Sequence, residues 1–341
     1  MGGKLPLVFG RYARRMPKSS ASSFQWVPGQ GPDPVALDRM AKAFPKPKKP
    51  MGEAWFMGEV REMYPELLGD LGQLTDEQIY KPLEELASGI SSFGQLEEWI
   101  EWYHYLLPRL LERPWTPYFH STVELLITAF FELYPATVEN AAYEELRTDA
   151  LLTMGRYIMA PQLWPGGHPD HKKCLHKYQC VDGTYGWYDS SGLLSSSLFF
   201  CLKYLPEDAI ESWFESVLAV PDPYWREQVI VWLVGAHPIL TNAIEQPSEL
   251  PEYGPYRMGW DWSHVLRGNY TGDLRPEVPL TTFLPVAHRE ALLQVARGMD
   301  VTDFFEELET NPDLEELAAE ADSVGVKDRF VELYGKQQSS R

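Results

Sequence analysis

The sequence predicts an all-α protein built from stacked antiparallel helix pairs. Three observations carry this. From about residue 52 onward, apolar residues recur at i, i+3, i+4 and i+7, the stripe of a helix with one buried face. Runs that alternate apolar and polar, as a half-buried strand would, are nearly absent. Cap signatures and Pro-containing turns fall between the periodic stretches.

Residues 1–50 precede this pattern. They are rich in Pro, Gly, Ser and Lys and end in FPKPKKP, a composition that buries too little apolar surface to offset the entropy of ordering. We expect a basic, extended arm here, and a single helical domain over 51–341. Thr75-Asp-Glu-Gln78 fits a capping box, with Thr75 as N-cap and Gln78 at N3. Residues 96–113 are helical, with Pro108 expected to kink or divide the helix. Residues 119–134 and 142–159 repeat the one-faced pattern. A His/Cys-rich break over 161–189 then separates two sub-blocks, 51–160 and 190–335.

The second block opens with a helix over 192–204, closed by Leu205-Pro206, and continues with a striped helix through Ile210, Trp213, Phe214 and Val217. Asp222-Pro223 is a strong start signal, because Asp caps orphan amides and Pro at the first helical position loses no bond. The helix it opens, 224–236, contains VIVWLV, apolar nearly all round and therefore enclosed on several sides. Pro238 is expected to end it. Residues 237–279 show little period. Residues 282–297 are helical again, and 300–335 give two or three short acidic helices, the second opened by Asn311-Pro312. Helix pairs spaced by roughly 40–50 residues resemble a HEAT-like α-solenoid in architecture. No repeat consensus recurs from pair to pair, and an irregular helical bundle is the alternative.

Charge narrows the partners. The formal net charge is −19. Residues 1–50 hold ten Lys/Arg against two Asp, so the remaining 291 residues carry −27. Such a body repels phosphate backbones and favours a cationic protein partner. No apolar run approaches the roughly 20 residues that span a bilayer. The N-terminus lacks a signal-peptide core, Pro6 breaks the Gly2 myristoylation pattern, and three cysteines make no disulfide framework. Together these point to a cytoplasmic protein.

Common enzyme signatures, including HExxH, GxSxG and the phosphate-binding glycine loops, are missing. Glu101-Trp-Tyr-His104 has Glu-x-x-His spacing, but di-iron bundles need two such motifs and further carboxylates, so it reads as an ion pair on a helix face. Two segments stand out. Residues 168–180, HPDHKKCLHKYQC, hold His168, His171, Cys174, His176 and Cys180. These are the thiolate and imidazole ligands that zinc takes, although five within thirteen residues are crowded for one tetrahedron. Two or three of them could be completed by Asp170 or Asp182. Lys172, Lys173 and Lys177 would favour thiolate. The same residues also suit an inter-helix loop whose cysteines pack as small hydrophobes. Residues 251–270 hold Tyr253, Tyr256, Arg257, Trp260, Trp262, His264 and Arg267. Trp, Tyr and Arg dominate interface hot spots, so these are the candidate partner-binding residues. The same rings could equally pack on the helical stack.

Three functions stay open on the sequence. One is a non-enzymatic protein-binding scaffold or inhibitor, for example an immunity-type protein, whose acidic surface takes a cationic partner. Another is a metal-dependent enzyme centred on 168–189, with Asp182 or Asp189 as base. The third is a structural or assembly protein that uses its basic N-terminal arm.

Overall fold

Helix caps read from the sequence mark where three helical elements begin, at Thr75, Asp222 and Asn311. The computed structural model describes residues 24–53, 61–89, 96–113, 119–135, 138, 141–171, 173–175, 179–181, 185–187, 189–250, 256–266 and 282–335. The described residues form a mostly helical chain with packed helix pairs. One hydrophobic cluster runs through them from Trp26 to Tyr334.

Residues 24–50 depart from the expected extended arm. α1 (Pro34–Ala43) opens on Asp33, whose carboxylate accepts from the amides of Val35 and Ala36. Trp26 is buried against Trp213 and Trp225, and its indole donates to the Gly155 carbonyl at 2.7 Å. Average composition misled here. A few large apolar residues, Trp26, Leu37, Met40 and Phe44, are enough to fasten the segment to the core. Residues 1–23 of the expected arm lie outside the described residues.

The capping box forms at α2 (Asp76–Gly89): the Thr75 amide donates to Gln78 Oε1 at 2.9 Å, and the Gln78 amide returns to Thr75 Oγ1 at 3.3 Å. α3 (Leu96–Leu111) runs past Pro108, which sits one turn from its end and leaves the helix undivided. α4 (Phe119–Leu133) packs against α2 and α3. The 142–159 stretch splits into α5 (Leu146–Thr153) and a 3-10 turn over Met154–Met159. The Gly155 carbonyl is drawn away to Trp26, and Gly155 lies so close to Cys201 Sγ that an added Cβ would sit 3.3 Å from it.

α6 (Gly192–Tyr204) is buried at every residue. α4, α5 and the 3-10 turn pack on it from the first sub-block, so the two expected blocks share one interior. α7 (Ile210–Leu218) and α8 (Pro223–Leu240) follow. Asp222 caps α8 through the Trp225 amide at 3.0 Å. Pro238 does not end α8. It lacks only an amide that would have been bonded one turn back, and the helix closes two residues later, where the Thr241 amide and hydroxyl both reach the His237 carbonyl. α9 (Val286–Gly298), α10 (Thr302–Thr310), α11 (Glu315–Val324) and α12 (Val326–Tyr334) complete the helices. Strand pairing is confined to three-residue pieces among the described residues: β1 (Met51–Glu53) with β2 (Arg61–Met63), β3 (Gln179–Val181) with β4 (Tyr185–Trp187), and β5 (Asp189–Ser191) with β6 (Arg257–Gly259). No helix among the described residues is long and apolar enough to cross a membrane.

α3 and α4 are joined at His104. The ring turns inward, away from the ion pair expected with Glu101. Its Nε2 lies 2.9 Å from the Tyr134 hydroxyl, and Phe44 stacks on it with ring centroids 4.4 Å apart. Burial lowers its pKa to about 4. The native imidazole therefore stays neutral while the unfolded chain takes up a proton, so stability falls as pH drops from about 6.5 to 4, by on the order of 3 kcal/mol. His104→Gln, which keeps a polar partner for Tyr134 without titrating, should flatten that slope when stability is measured by urea unfolding at neutral and acidic pH. An unchanged slope would show that other groups drive the loss.

Candidate functional site

The described part of the His/Cys loop packs against the start of α8 and sets His168, His171 and Cys174 against different partners. His168 is exposed, with Nδ1 3.4 Å from Asp222 Oδ2. His171 lies against the Tyr224 ring, centroids 4.2 Å apart. Cys174 turns into the core, where its Sγ donates to the Asp170 carbonyl at 3.3 Å. Burial first, and then the Asp170 carboxylate, push this thiol up to about 12. The lysines expected to favour thiolate do not outweigh that: Lys173 is paired with Asp170 at 2.9 Å. Lys172, His176, Lys177 and Asp182 fall outside the described residues, and of Cys180 only the backbone in β3 is described. Among the described residues no group of three or more His, Cys, Asp or Glu could hold a metal ion.

The second segment meets the first. β5, which ends the His/Cys loop, pairs in parallel with β6 from the aromatic segment, Asp189 opposite Arg257 and Ser191 opposite Gly259. Trp260, expected at an interface, is buried, and its indole donates to Thr128 Oγ1 at 3.0 Å. Thr128 donates in turn to the Glu124 carbonyl, and the Glu124 carboxylate accepts from the Trp262 amide at 3.1 Å. Trp262 is half-buried, His264 is exposed, and the Tyr256 hydroxyl donates to the Gly325 carbonyl at 3.2 Å. Only the backbone of Arg257 is described, while Tyr253 and Arg267 lie outside the described residues. For Trp260 the interface reading is overturned.

Two glycines make this threading work. A Cβ on Gly235, in the middle of α8, would lie 2.9 Å from the Tyr256 carbonyl oxygen. A Cβ on Gly192 would strike Glu124 Oε2 and the Gly259 carbonyl. A glycine inside the otherwise apolar VIVWLVG was the sequence signal that another backbone approaches here.

What these elements leave on the surface is a groove between α10, α11 and α12, of about 400 Å³. Its floor is Phe305, Leu308, Ala318 and Ala321. Its rim is Glu309, Glu315, Asp322 and Asp328, all exposed. Gly325, in the left-handed conformation (φ +64°), turns the chain from α11 into α12 at one end, and Tyr256 holds that turn through its hydrogen bond. Lys327 is the one cation among the described residues that line the groove. It lies 3.8 Å from Glu309 and over the Phe305 ring. Residues 300–335 carry twelve Asp/Glu against two Lys/Arg. The acidic character was visible in the sequence, but the apolar floor was not, because its residues come from two separate helices. Comparison with family models, curated proteins and solved structures found no match.

Two outcomes test this geometry. Gly192→Ala should destabilise the fold by about 1–3 kcal/mol in urea, because a carboxylate and a strand carbonyl must both move; a neutral result would mean the β5–β6 junction yields easily. In a native thiol titration at mild alkaline pH, Cys174 and Cys201, both buried and with raised pKa values, should stay unreactive until the chain is unfolded. Rapid labelling of Cys174 would contradict its place in the core.

Proposed function

We propose that this chain is a non-enzymatic protein-binding scaffold or inhibitor, in the manner of an immunity-type protein, whose α10–α12 groove recognises a cationic segment of a partner protein. The groove carries this reading: an apolar floor set inside four exposed carboxylates. An amphipathic helix laid on such a surface puts apolar anchors into the floor and Lys or Arg against the rim. Charge supports the same partner, since residues 24–341 hold 49 Asp/Glu against 25 Lys/Arg, and such a body attracts cations and repels nucleic acid. The enclosure of α6 on all sides favours an irregular bundle over a HEAT-like array, because in an array each helix pair keeps an open face. Two free, buried thiols accord with a reducing, cytoplasmic setting.

A labelled amphipathic Lys/Leu peptide, titrated by fluorescence anisotropy, tests the reading. Binding should weaken about tenfold in the full chain carrying E309Q, E315Q, D322N and D328N, since each exposed pair contributes roughly 0.2–1 kcal/mol. It should also weaken in about 0.5 M salt, which screens exposed charge. Equal affinity for wild type and the neutralised variant would remove the groove from consideration.

A further inference from the structure

Resting on that reading, we infer that the groove's first occupant is the chain's own N-terminal segment. Residues 4–18, KLPLVFGRYARRMPK, hold five cations and no acid, interleaved with Leu5, Leu7, Val8, Phe9, Tyr12 and Met16. That is the composition the groove asks for, cations for the rim and apolar side chains for the floor. Elsewhere in the chain acids outnumber Lys and Arg by 24, 49 against 25, because the first 32 residues contain none of the 49 Asp/Glu and five of the 30 Lys/Arg lie in residues 4–18.

The described structure also brings the segment within reach. Trp26 is anchored on Trp225, near the start of α8. α12 is fastened further along the same helix, where the Tyr334 hydroxyl donates to the Leu233 carbonyl at 2.7 Å. From Trp225 to Leu233 along α8, and then from Tyr334 back to Lys327 along α12, the path is about 40 Å at most when the two lateral contacts are included. The thirteen residues from Phe24 back to Arg11 extend to about 43 Å. The groove therefore lies within the straight-line reach of residue 11, and the seven positions from Arg11 back to Lys4 add about 23 Å for following the surface. A 13-residue tether has an r.m.s. reach of about 20 Å, so across this span it supplies an effective concentration below about 1 mM, and the contact must be tighter than about 0.1 mM to keep the groove mostly closed. An external cationic partner would then have to displace it, and weakly cationic proteins would be turned away.

The test uses the full-length chain, wild type against R11E/R14E/R15E, with a labelled peptide of residues 4–18 as probe and the amphipathic Lys/Leu peptide beside it. The expected result is that the arm variant binds both peptides about tenfold tighter than wild type, and that this gain is lost when the four groove carboxylates are neutralised in the same chain. Equal binding of both peptides by wild type and arm variant overturns the intramolecular contact and leaves the groove reading standing, as does binding of the Lys/Leu peptide but not of the 4–18 peptide. Failure of the arm variant to bind either peptide overturns both. A dimer mass for wild type by light scattering that falls to the monomer in the arm variant would put the segment on a neighbouring copy and likewise overturn the intramolecular contact.

Discussion

A helix buried from end to end must also end inside the protein, and α6 does so at both termini. A helix leaves four amides and four carbonyls without partners inside itself, and a buried orphan costs roughly 1–3 kcal/mol. At the start of α6, Ser191 Oγ accepts the Leu194 amide and donates to the Cys174 carbonyl, while Gln228 of α8 takes the Ser191 amide. At its end, Arg147 of α5 donates to the carbonyls of Tyr204 and Leu205, and His288 of α9 donates to that of Leu202. These partners come from three helices and the His/Cys loop. Satisfying α6 therefore sets where α5, α8 and α9 sit. It also explains why Cys174 faces inward, since its own carbonyl is part of the cap.

Cations at the C-terminal end of α6 suit the helix dipole, but they are not equally comfortable. Lys203 is buried, donates to the Phe283 carbonyl, and has its pKa lowered to about 7 by loss of water. Near neutral pH its charge is then shared between two states, and the charged one is held by a carbonyl and by the faces of Phe283 and Tyr204. Arg39 and Asp149 solve a similar problem more completely. Asp149 is fully buried, but Arg39 pairs with both its oxygens and the Tyr143 hydroxyl donates to it at 2.8 Å. That network ties α1 to α5. With Trp26, it turns residues 24–50 from an appendage into a wall of the core, and it sets where the cationic segment before them begins.

Features carried by local chemistry were legible in the sequence. Thr75 with Gln78, Asp222 with Pro223, and Asn311 with Pro312 each mark a helical start, because a cap is decided within four residues. The missed α1 has the same signal in Asp33-Pro34. It was obscured by averaging over a Pro- and Lys-rich window, in which four apolar anchors count for little although they decide the energetics. Features made by distant residues were not legible. Parallel pairing of Ser191 with Gly259 joins segments 68 positions apart, and nothing local marks its register. The aromatics of 251–270 suited a hot spot and a core wedge equally well. The choice for Trp260 was made by Thr128, on a helix more than a hundred residues earlier, and by Gly192 and Gly235, which leave room for the backbone of Gly259 and Tyr256 leading up to it.

The C-terminal groove obeys a different balance from that core. Like charges gathered on three short helices repel one another, and exposed carboxylates gain little from Lys327 beside them. The repulsion is tolerable because the rim is in water and screened beyond a Debye length of about 8 Å. The same screening limits what the rim can do for binding. It speeds and orients the approach of a cation, while lasting contact must come from the floor, where apolar surface leaves water. Phe305 and Leu308 are already buried, so the half-buried Ala318 and exposed Ala319 matter for how long a partner stays, and the carboxylates for which partner arrives. A cationic segment on the same chain answers to both, which makes its position beside an acidic body a matter of binding equilibrium as well as of composition.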